Sequence, residues 1–277
     1  MPYTIHIDEW IKKSKEDFYI LFVQAWIPFN AWYNKEISPR TARGTDRECI
    51  NFICQNPNDY KNKIMAYLNG RDRESLLFQQ EIVDLHKALL LQTIPDAGNP
   101  ITFKTISIYD PGHSVAESDF YSVHYKIERI SSGSSFQYDV KIIDKGSGHI
   151  VFNNRYNNCD VANLDSDHSF LTFSDAIKTR VKKEYLSVDI KAPTNVVLEP
   201  IRQADGSTRK PPHCIEYGSI DKEYFIVDKD KIAQVLIQLL YRLRCEIFHG
   251  SLNPSEQNMV VFKHAYAIQS MLIKVLN

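Results

Sequence analysis

A chain of 277 residues is long enough to bury a sizeable core, as one large domain or as a core domain with a second lobe. Hydrophobic residues at 43% and charged residues at 24% lie near ordinary globular usage, which excludes a disordered or fibrous chain. A formal charge of -1 supplies no global attraction for polyanions, so any nucleic-acid site has to be a local patch.

The chain opens on MPYTIHIDEW, with Asp and Glu where an export signal carries its basic flank, and no apolar run approaches the roughly 18 residues of a membrane span. The five cysteines, Cys49, Cys54, Cys159, Cys214 and Cys245, form no CxxC pair and no disulfide-like framework. A soluble protein of the reducing cytoplasm, with no membrane partner, is expected.

From Asp8 to about Glu36 the spacing predicts a long helix, with Phe18, Phe22, Trp26, Phe29 and Tyr33 on one face and Pro28 expected to kink it. Helices are expected at Thr45 to Gln55, Asp59 to Leu68 and Arg71 to Gln92, with Asn69-Gly70 between the last two. The period then changes to alternation. Tyr121, Val123, Tyr125 and Ile127 alternate with polar residues, and Phe136 to Ile143 and His149 to Asn153 follow after turns at SSGSS and DKGSG. These three segments read as an antiparallel meander, to which ITFKTISIYD adds a further strand.

Ser174 to Tyr185 reads as a short helix capped by Ser174, and residues 190 to 213 read as an exposed irregular connection. Asp228 caps the next helix, whose stripe is Ile232, Val235, Leu236, Leu239, Leu243 and Ile247 and which stops near Gly250. Asn253 as cap, Pro254 in the first turn and Glu256 predict a final helix to about Val275. The fold class expected is α+β, with residues 1–95 and 228–277 forming a helical bundle and residues 96–227 a central β-rich, antiparallel insertion.

The segment YRLRCEIFHG holds the candidate residues for chemistry. Turning 100° per residue from Ile232 puts Arg244 at roughly 120°, on the edge of the apolar stripe, and His249 at roughly 260°, where the helix unwinds. Arginine offers a fork of donors matched to phosphate oxygens, and histidine moves protons near neutral pH. The bland alternatives are a last-turn histidine that caps its helix and an arginine that pairs with a carboxylate.

Arg244 and His249 as R-x4-H, late in the chain with a proline-led helix behind, resemble the signature of the HEPN-domain family. AWIPFNAWYN at residues 25 to 34 resembles the aromatic, Asn-containing first helix of some members. The resemblance covers the two helical ends. It implies a HEPN-like bundle and a metal-independent endoribonuclease without cofactor, acting as a toxin or antiviral effector. It further implies a homodimer with a composite site, in which His249 handles protons and Arg244 stabilises phosphorane charge. Alternatively, the module is catalytically silent and binds RNA or a protein partner.

Members often carry Asn, Asp or His directly after the arginine, where this chain has Cys245. Glu246, one place later, reads either as the substitute polar assistant or as a solvated surface acid. Some members carry a modifiable tyrosine two residues after the histidine; Ser251 stands there. The remaining candidates bind rather than react. Asn30, among aromatic residues, bonds either a packing partner or the active cleft. Arg180 and Lys183 in KTRVKK, and Arg209-Lys210, grip a phosphate backbone or are merely solvated. Glu246 and His249 also form an E-x-x-H pair, but di-iron sites need two such motifs and the chain has no second, so no metal is expected. The insertion would sense a signal, select RNA or restrain the enzyme.

Overall fold

The aromatic spacing at the start of the chain is realised as helix α1 (Phe18–Glu36), opened by the Asp17 carboxylate, which accepts from the backbone of Tyr19 at 3.0 Å and Ile20 at 3.2 Å. The computed structural model describes residues 17–92, 94–96, 99–109, 113–132, 135–191, 193–203, 205–219 and 222–276; the expected helical start at residues 8–16 lies outside them. Pro28 sits inside α1, whose buried face is Phe22, Ala25, Trp26, Phe29 and Tyr33. Helices α2 (Asp46–Gln55), α3 (Asp59–Asn69) and α4 (Arg73–Leu91) follow. Each is stopped at its start by a polar side chain that takes an otherwise orphaned backbone donor: Thr45, Asn58 and Asp72 accept from Glu48, Lys61 and Ser75.

After a two-residue pairing of β1 (Pro95–Asp96) with β2 (Asn99–Pro100), the expected strand over ITFKTISIYD does not form. Residues 101–105 instead make a turn in which the Thr105 hydroxyl accepts from the Thr102 backbone at 3.0 Å. Ile101, Phe103, Ile106 and Ile108 are nonetheless buried. Their alternation breaks between 103 and 106, a phase slip that one strand cannot absorb.

The chain divides into two compact units, one taking it up to Ile106 and again from Thr194, the other Ser107–Pro193. The second unit is therefore narrower than the insertion expected at 96–227. It holds an antiparallel sheet of β3 (Val115–Phe120), β4 (Val123–Ser132), β5 (Ser135–Asp144) and β6 (Ile150–Tyr156) in that order, one strand more than the meander read from sequence. Tyr121, assigned to a strand's inner face, is instead 73% exposed at φ 50° in the β3–β4 turn. From Val123 onward the alternation holds: Val123, Tyr125, Ile127, Val140 and Ile142 face inward. They are covered by α5 (Val161–Asp165), α6 (His168–Leu171) and α7 (Asp175–Ser187), which contribute Leu164, Phe170, Val181 and Tyr185. Each such fully buried side chain contributes about 1.5–3 kcal/mol.

Beyond Thr194 the connection is less irregular than expected. It contains β7 (Val197–Leu198), the small pairing of β8 (Ile201–Arg202) with β9 (Thr208–Arg209), and β10 (Cys214–Tyr217) and β11 (Glu223–Ile226), of which β10, β11 and β7 form a three-stranded sheet. Asp228 then accepts from Lys231 at 3.1 Å and opens α8 (Lys229–Phe248). The predicted stripe is buried from Ile232 to Leu243. The last helix, α9 (Glu256–Leu272), starts two residues later than the Asn253 signal implied: Ser255 is its cap, accepting from Asn258 at 3.1 Å. It packs on α1 through Tyr19 and Phe262, with ring centroids 4.7 Å apart, while Phe29 of α1 stacks on Tyr60 of α3 at 4.1 Å. Among the described residues no helix is long and apolar enough to cross a membrane. The fold is α+β with antiparallel sheets.

Candidate functional site

The end of α8 is set by its last residues. His249 is the C-cap, its backbone N–H returning to Cys245 at 2.9 Å, and Gly250 adopts φ 68°, a left-handed conformation that turns the chain out of the helix. The His249 side chain is exposed. Arg244, five residues earlier, is instead largely covered where α8 packs on α2.

There Arg244 meets Asp46, the first residue of α2, with Nη2 3.2 Å from Oδ2 and the arginine side chain 19% exposed. The other Asp46 oxygen, Oδ1, accepts from the Tyr33 hydroxyl at 2.9 Å. That hydroxyl accepts in turn from Asn30 Nδ2, and Asn30 Oδ1 accepts from Asn34 Nδ2 at 3.1 Å. Burial, followed by the hydrogen bond to Asp46, raises the Tyr33 pKa, so the phenol stays protonated and donates. The Arg244 guanidinium also lies 4.3 Å from the ring centroid of Phe248, which is 56% exposed. Its Nε is buried with no partner among the described residues. An unmet buried donor costs about 1–3 kcal/mol.

Asn30 therefore bonds a packing partner, the core tyrosine Tyr33, and is linked to Arg244 only through Tyr33 and Asp46. The solvated reading of Glu246 is corrected by its burial. The residue is 8% exposed, and its Oε2 accepts from the Ser251 hydroxyl while its main-chain oxygen accepts from Leu252 at 3.3 Å. Both bonds fasten the turn after α8. Cys245 is half-buried beside Tyr241, whose pKa is raised by burial first and by this thiol second.

The basic run of the other unit is largely spent within that unit. Arg180 donates from Nε to the Tyr125 hydroxyl at 3.3 Å and pairs with Glu184 at 3.1 Å, holding α7 on its sheet. Lys178 pairs with Asp175 at 2.8 Å and Lys182 with Asp165. Of the two residues proposed to grip phosphate, Lys183 alone stays exposed on the helix surface. Lys210 is likewise bonded to Glu216.

Asp46, Tyr33 and Phe248 escaped the sequence reading. Asp46 and Tyr33 register as a first-turn acid and a core aromatic, and only the packing of α1, α2 and α8 brings them to Arg244. Among the described residues no group of three or more His, Cys, Asp or Glu is arranged to hold a metal ion. No protein-family model, curated protein or solved structure matches the chain.

Proposed function

We propose that the chain is a HEPN-type endoribonuclease, a metal-independent enzyme of toxin or antiviral character that works as a homodimer in the cytoplasm. The observation that carries the reading is one short helix end offering a guanidinium held by a side-chain relay and, five residues on, an exposed imidazole. In the reaction, the ribose 2′-OH attacks the adjacent phosphodiester and yields a 2′,3′-cyclic phosphate and a 5′-OH. His249 takes and returns the proton, and Arg244 stabilises charge on the phosphorane oxygens. The dimer is what the HEPN resemblance implies, with the Arg244 and His249 pairs of two chains meeting at one composite site.

Arg244→Ala and His249→Ala, purified separately and assayed on single-stranded RNA in EDTA, are each expected to lower cleavage by about 100-fold or more. Cleavage by either variant at the wild-type rate sinks the proposal. One observation favours a second reading, a silent module that binds RNA or protein: Arg244 already has a carboxylate partner in its own chain. Retention of RNA without cleavage by any of the three proteins would establish it.

A further inference from the structure

The pairing of Arg244 with Asp46 is incomplete in a particular way. A carboxylate normally meets arginine as a fork, two oxygens on two nitrogens. Asp46 approaches Arg244 with Oδ2 at 3.2 Å from Nη2 and does not satisfy Nε, while its Oδ1 accepts from the Tyr33 hydroxyl at 2.9 Å. Tyr33 is fixed by Asn30 and Asn30 by Asn34, so this diversion is built into the face of α1. The Arg244 Nε, the second tine of the fork, is left buried and unpartnered among the described residues. Asp46 keeps a third of its side chain in solvent, 34%, and Phe248 over the guanidinium is exposed as well, so the covering groups lie at the surface and not deep in the core.

We propose that Asp46 is an internal stand-in for a phosphodiester: it occupies half of an anion seat formed by the Nε–Nη2 edge of Arg244, and a substrate phosphate displaces it and takes both nitrogens. This inference rests on the nuclease reading and adds to it the regulation of that site. The diversion of Oδ1 by Tyr33 keeps the self-ligand weak enough to leave. A phosphate oxygen pair fits both donors in the plane of the guanidinium, which Asp46 as held does not.

The sign of two substitutions separates this from a merely structural ion pair. Asp46→Asn removes the competing charge while keeping the shape and the hydrogen bond to Tyr33. Tyr33→Phe frees Oδ1 so that Asp46 can close on Arg244 with both oxygens. Binding is read by fluorescence anisotropy with a labelled 2′-O-methyl RNA 20-mer, which lacks the attacking hydroxyl and reports anion capture alone. The Asp46→Asn variant is expected to bind about fivefold tighter than wild type, the Tyr33→Phe variant about fivefold weaker, and Arg244→Ala combined with Asp46→Asn to lose the gain. Damage to packing weakens binding in both variants, so loss in both, no change in either, or no binding by any protein overturns the proposal. Cleavage of all-ribose RNA by wild type but not by Arg244→Ala, run alongside, shows whether the nuclease reading survives that failure.

Discussion

His86 is the residue whose environment most directly sets a pH response. It lies in α4 with 2% of its surface exposed, between the rings of Phe103 at 5.8 Å and Phe225 at 6.4 Å, and its Nδ1 has no partner among the described residues. Burial first, and the neighbouring Lys104 second, hold its pKa down to about 4 against an ordinary value of 6.5. The folded protein thus keeps the ring neutral where the unfolded chain protonates it. Stability from this residue is present in full above 6.5 and is lost as pH falls from there toward 4, to a total of about 3 kcal/mol. Urea midpoints at pH 7.5 and 4.5 should therefore converge more in His86→Phe than in wild type. Equal pH dependence of the two proteins would assign the acid sensitivity to other groups. Glu246 makes a related point about residues: read as a solvated acid, it is 8% exposed and bonded to Ser251.

At the scale of elements, helix ends were the most legible features, because caps are local. Asp228, read as a cap, accepts from the backbone three residues on, and Gly250 stops α8 where expected, whereas Ser174 makes no side-chain cap bond, and Asn58 and Asp72 cap helices read from their periodicity alone. Adding a Cβ at Gly250 meets no atom within 4 Å, so Gly250→Ala costs only the left-handed backbone, about 1 kcal/mol, read as a lower urea midpoint with an unchanged slope. An unchanged midpoint would show that this turn relaxes freely. Legibility failed where two local signals competed or where partners were remote. Asn253 and Ser255 both offer a cap, and Ser255 wins with Glu256 directly behind it in the first turn. Buried residues 101, 103, 106 and 108 looked like one strand because composition shows burial and hides the phase slip. Arg244 and His249 stand out as candidates by their motif, whereas Asp46, reached only through the packing of α2 against α8, has no signature in one sequence.

At the scale of the molecule, the second unit is inserted at a point where the first closes on itself. The Thr194 backbone donates to Ile106 O at 2.9 Å, and the Val196 backbone donates to Phe103 O at 3.2 Å, so the two chain segments that flank the insertion are already hydrogen-bonded neighbours. The sheet of β7, β10 and β11 belongs to the helical unit, which is why cutting at 96 and 227, the boundaries that composition proposed, would remove core residues such as Val197, Tyr217 and Phe225. Replacing Ser107–Pro193 by three or four Gly/Ser residues spans the gap with little closure entropy, since that cost grows only slowly with loop length. The shortened chain is expected to keep a helical far-UV circular dichroism spectrum and a single cooperative urea transition, with a slope reduced in line with the surface removed. A protein that loses cooperativity on this excision, while full-length protein retains it, would show that the first unit does not hold its own core. If it folds, assaying it for the proposed RNA cleavage tests the inserted unit: activity equal to that of the full chain would confine the proposed chemistry to the helical unit, and higher activity would identify residues 107–193 as a restraint on it.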